Sequence, residues 1–96
     1  CQDAYGLAEC PVTGKLYAAC LSTQGEDSSG AVISISNSTV SRVFKANISQ
    51  CWEPRSVAVS PFGDIVYVGC QKGTATVLSV AGPNVTILAN STRCSA

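Results

Sequence analysis

Apolar and polar positions alternate along this chain in short runs, with no stretch showing the three-to-four spacing of a helical stripe. Val57 and Val59 alternate with Ala58 and Ser60, and Ile65, Val66, Tyr67 and Val68 then form a β-rich run. Between them stands Pro61-Phe-Gly-Asp64. Pro61 fixes φ and Gly63 tolerates positive φ, so the pattern predicts two strands joined by a tight reversal. The same pattern occurs earlier in the chain. Residues 5–20 lie on residues 55–70 with Ala8 on Ala58, Pro11 on Pro61, Tyr17 on Tyr67 and Cys20 on Cys70. The match continues with Val32–Ile35 on Val77–Val80, Asn47–Cys51 on Asn90–Cys94 and Cys1–Ala4 on Cys51–Pro54. The chain is a tandem repeat.

Each copy divides into four predicted strands. The first copy has Tyr5–Glu9, Lys15–Cys20, Ala31–Ser36 and Thr39–Phe44; the second has Ser56–Ser60, Ile65–Cys70, Ala75–Val80 and Val85–Ala89. A strand-only period of roughly 40–50 residues points to propeller blades. The hairpin wording, with its A-V-x-P-x-G-x-x-x-Y-V pattern around Pro61 and Tyr67, resembles the NHL and YVTN (lactonase-like) β-propeller repeats. That resemblance implies a fold and, by itself, no activity. The expectation is an all-β chain of two four-stranded antiparallel β-propeller-type blades, residues 1–50 and 51–96, forming one structural unit. Closed propellers need about four to eight blades, so two would be completed by assembly with other copies, as a ring or a fibre.

Composition narrows the function classes. The 96 residues are 46% apolar and 12% charged, with six Lys and Arg against six acids. No basic stripe is available for nucleic acid, and no apolar run reaches the roughly 18–20 residues of a membrane span. The chain opens without a leader pattern, and a processed or defined start is expected. Histidine is absent, which removes Ser-His-Asp and Cys-His catalysis. Glu26 and Asp27 sit in a Ser/Gly-rich loop that reads as solvated in preference to calcium-binding. No catalytic set emerges, and neither an enzyme nor a cofactor is expected.

Six cysteines without a Cys-x-x-Cys pair indicate an oxidising compartment and disulfides, not a zinc site. Blade geometry puts the ends of the second and fourth strands on one side, which favours Cys20–Cys51 and Cys70–Cys94. The competing scheme is Cys1–Cys20 with Cys51–Cys70. Under the first scheme Cys1 and Cys10 remain, paired together if the N-terminus folds back, or to another chain. Four sequons, at Asn37, Asn47, Asn84 and Asn90, two of them at equivalent repeat positions, point to covalent N-glycans and secretion.

The reading that fits most of these features is a non-catalytic secreted glycoprotein, a structural subunit of an extracellular fibre or ring. The alternative is an oligomeric propeller lectin. Sugar faces need aromatic platforms, and Trp52 is the candidate, with Gln2 in its place in the first copy.

Overall fold

A computed structural model describes residues 4–20, 30–45, 51–72 and 75–90, with the side chains of Trp52, Lys72, Ala75, Thr76 and Asn90 excepted. They form eight strands, and no helix occurs among them: β1 (Ala4–Glu9), β2 (Leu16–Cys20), β3 (Ala31–Ser36), β4 (Thr39–Lys45), β5 (Trp52–Val59), β6 (Val66–Lys72), β7 (Ala75–Ala81) and β8 (Asn84–Asn90). Two antiparallel four-stranded sheets follow chain order, β1-β2-β3-β4 and β5-β6-β7-β8. The chain therefore contains two blades.

Turn chemistry sets the registers. Asn37 and Ser38 both take positive φ (49° and 67°) between the Ser36 and Thr39 pair, the geometry that a two-residue hairpin needs to match strand twist. In the second blade Gly82 (φ 59°) precedes Pro83 between the Ala81 and Asn84 pair, so only the first central residue is left-handed. Gly63 has φ 78° and donates its N–H to Ser60 O at 2.9 Å, closing the predicted reversal around Pro61.

Most strands differ from their expected spans by one or two residues, and β5 differs most. β5 begins at Trp52, four residues before the predicted Ser56. A proline is tolerated there because β5 is an edge strand, and a register shift between Pro54 and Ser56 absorbs the irregularity. Glu53 adopts φ 63° immediately before Pro54.

The two sheets share one core. Tyr17, Val32 and Phe44 of the first blade cluster with Val66, Val68, Leu78 and Val80 of the second. β5 lies over β1 and β2 and reaches β3. Gly6 permits this approach: a Cβ there would come within 2.8 Å of Ser56 Cα and 2.9 Å of Arg55 O. At the same junction the Arg55 guanidinium lies over the Tyr5 ring, 4.7 Å from its centroid, while its Nε donates to Gln71 Oε1.

The favoured disulfide scheme is not the one observed. Cys51 is bonded to Cys70, with Cα atoms 5.5 Å apart, so neither Cys20–Cys51 nor Cys70–Cys94 forms. The expectation set Cys51 beside the end of the second strand of the first blade. It instead directly precedes β5, whose antiparallel partner β6 carries Cys70 opposite Pro54, and that brings the two thiols within bonding reach. Cys20 is also disulfide-bonded. The expectations for Cys1 and Cys94 fall outside the described residues. Cys10 is not bonded to Cys1: it is a free thiol, 1% exposed. It sits between the two hairpin turns, where a Cβ on Gly63 would come within 2.7 Å of its Sγ. It belongs to the shared core cluster.

Candidate binding face

Strand alternation gives each blade two faces. One face of each packs in the shared core; among the described residues the other is largely uncovered, except that Ala18, Cys20 and Ala31 are buried on the outer face of the first blade. Covered on the first blade are Tyr17, Ala19, Val32 and Phe44; covered on the second are Val66, Val68, Leu78 and Val80. The outer face of the second blade presents Ser56, Ala58, Tyr67, Gly69 and Val77, placed together by the Ser56–Gly69, Ala58–Tyr67 and Gly69–Val77 pairs. These are the repeat equivalents of Gly6, Ala8, Tyr17, Ala19 and Val32. Small residues around a half-buried tyrosine leave an open groove of 190 Å³. The Ser56 side chain leans over Gly69, where a Cβ would collide with its hydroxyl.

The groove is lined by the Tyr67 phenol, four aliphatic residues (Val57, Ala58, Val68 and Val77), Gly69 and the Ser56 hydroxyl, with no carboxylate or basic side chain. It is suited to packing against an apolar surface. Among the described residues no three His, Cys, Asp or Glu side chains gather as metal ligands. On the opposite side of the molecule the outer face of the first blade exposes Leu7 (67%) and Val40 (61%), with Leu16, Ile33 and Ile35 half-buried between them.

The sequence-derived site residues are scattered relative to this groove. Asn37 is exposed at the tip of the β3–β4 turn, and Asn84 is exposed directly after the β7–β8 turn. Both positions project into solvent as a glycan requires. Asn90 ends β8, and Asn47 lies outside the described residues, as do Glu26 and Asp27. Trp52 opens β5 opposite Lys72, but its indole is not among the described side chains. The groove around Tyr67 is what the sequence reading passed over, because both mid-strand tyrosines read as packing residues. The signal was present: with two blades and one junction, only one of two equivalent tyrosines can be covered.

The hairpin turns differ in how they satisfy their backbone. Ser60 Oγ donates to Asp64 Oδ1 at 2.8 Å and accepts from the Ile65 N–H at 3.3 Å. Cys10 replaces Ser60 in the first blade, and there Thr13 Oγ1 accepts from the Lys15 N–H at 3.2 Å. Hydrogen bonds from the Thr13 side chain, and from the backbone of Thr13 and Val12, hold the Cys10 thiol below its ordinary pKa.

No protein-family model matches the chain, and no curated protein matches it. Among solved structures it is similar to a chain in the crystal structure of the Nidogen/Laminin Complex, with a TM-score of 0.73 at 13% identity. The match covers 92% of this chain and 31% of that one, so this chain spans about a third of its neighbour's length. At such identity the likeness shows the fold alone: all-β, with four-stranded blades of the propeller kind. The narrower NHL or YVTN resemblance has no matching family model beside it.

Proposed function

We propose that the chain is a non-catalytic, secreted structural glycoprotein whose blades assemble with further blades in an extracellular fibre or ring. The observation that carries this reading is the pair of largely uncovered sheet faces, one on each side of the molecule, equivalent in sequence to the two faces joined inside it. Supporting it are the Cys51–Cys70 disulfide, which suits an oxidising compartment, and the exposed sequons at Asn37 and Asn84. The structural neighbour also belongs to a complex of proteins. Carbohydrate binding is the alternative; it rests on Trp52.

Electron microscopy of native, unreduced material tests the reading, with glycosidase-induced mass loss measured alongside. Filaments or closed rings carrying N-glycans are expected. A monodisperse monomer that loses no mass would overturn it, and glycan-array binding abolished by Trp52→Ala would replace it with the lectin.

A further inference from the structure

We infer that the groove around Tyr67 receives the outer face of the first blade of a second copy, with Leu7 seated in it, so that copies associate head to tail. The inference rests on the assembly reading above and names the partner surface.

The internal junction supplies the template. There Gly6, Ala8, Tyr17, Ala19 and Val32 accept the second blade, with Val57 of β5 entering beside Gly6. The groove repeats that acceptor as Ser56, Ala58, Tyr67, Gly69 and Val77. The outer face of the first blade repeats the inserted surface: Leu7, Leu16 and Ala18 stand where Val57, Val66 and Val68 stand, and Ile33, Ile35 and Val40 where Leu78, Val80 and Val85 stand. Among the described residues one chain thus carries an open acceptor and an insert whose exposed side chains are Leu7 and Val40, with Ala18 buried between its neighbours. Surfaces that differ from each other and recur on every copy make a heterologous contact.

The departures from the template compensate each other. Ser56 replaces Gly6, and its Cβ keeps an incoming strand from approaching as closely as β5 approaches β1. Leu7 replaces Val57 and is one carbon longer, spanning the wider gap. Gly69 replaces Ala19, and the space its missing Cβ leaves is taken by the Ser56 hydroxyl. Two further changes weaken the contact: Glu9 and Arg42 lie where the internal junction has Val59 and Ile87. Copy-to-copy association is therefore weaker than blade-to-blade packing inside the chain, and reversible. The sequons Asn37 and Asn84 flank turns at the β4 and β8 side of each sheet, opposite the β5 edge that frames the groove.

The test uses the glycosylated full chain and two variants at exposed positions, Leu7→Glu and Ala58→Glu, followed by sedimentation velocity over a concentration series. Each variant alone should associate on the order of a hundredfold more weakly than the parent, because a carboxylate would enter an apolar contact unpaired. Mixed together they should form a one-to-one dimer, since one keeps an intact groove and the other an intact insert. The doubly substituted chain should stay monomeric and pair with neither. Circular dichroism of each variant checks that the sheets are retained; should Leu7→Glu unfold, Leu7→Ser takes its place in the mixing experiment. If the parent associates and either single variant associates equally well, the contact is not this one and the proposal falls while assembly stands. A parent that remains monomeric throughout removes both.

Discussion

Tyr17 and Tyr67 occupy the same place in the two blades. Each stands mid-strand opposite a small residue, Ala8 or Ala58, and each pairs on its other side with a serine, Ser34 or Ser79. Tyr17 is 9% exposed and belongs to the core; Tyr67 lines an open groove. Nothing within either sheet accounts for the difference. The second blade lies over the first, and among the described residues nothing lies over the outer face of the second. Burial of a blade face is thus a property of the neighbour and not of the strand that bears it.

The largest expected effect breaks the equivalence directly. Tyr17→Ala removes a packed aromatic ring from the shared core and should destabilise the chain by about 3 kcal/mol or more. Tyr67→Ala, truncating a side chain on an uncovered face, should cost less than about 1.5 kcal/mol in dilute solution. Urea unfolding of the two variants measures the contrast. Equal losses would mean that Tyr67 is already covered in the monomer, and the groove would cease to be a binding face.

Next in size is the bridge between strand ends. Replacing Cys51 and Cys70 with alanine opens a loop of sequence separation 19 and should cost about 3 kcal/mol in the chain-entropy account. Repeat equivalence puts Cys1 and Cys20 at the same two positions. Peptide mapping without reduction should therefore recover Cys51 joined to Cys70, and Cys1 joined to Cys20. A Cys20–Cys51 peptide would reverse the correction made from the structure.

How much could be read beforehand depends on where the determining contacts lie. β3 matches its predicted span residue for residue, and its hairpin with β4 was marked by Asn37-Ser38, because two-residue turns are specified by the residues within them. β5 was placed too late, since Pro54 argues against a strand until the sheet order shows that it lies on an edge. The disulfide expectation fails on the same point: it sets Cys51 beside the end of β2, whereas β5 starts at Trp52 and holds Cys51 beside its own partner strand β6. Cys10 was unreadable as a buried thiol, because what buries it is the turn at Gly63, distant in sequence. Local turn chemistry is written in neighbouring residues, while packing between repeats is not.

The smallest expected effect concerns how two turns of equal length but different path, closed by Gly14 N–H to Cys10 O in the first blade and by Gly63 N–H to Ser60 O in the second, keep one backbone N–H bonded. In the second blade the Ser60 hydroxyl reaches Ile65 N–H and is itself oriented by Asp64. The first blade has sulfur at that position, a weak acceptor, and the hydroxyl comes from Thr13 within the turn. Thr13→Ala should therefore leave Lys15 N–H to water and cost roughly 0.5–1.5 kcal/mol, and Ser60→Ala a similar amount. The informative variant is the pair Thr13→Ala with Cys10→Ser, which rebuilds the second blade's arrangement in the first. Serine is smaller than cysteine, so the space against Gly63 remains sufficient. Recovery should be partial, because Gly14 stands where Asp64 stands and supplies no carboxylate to hold the new hydroxyl. Unfolding free energies for the four corners of this cycle would measure it. Additive losses would show that the two hydroxyls do not serve the same N–H.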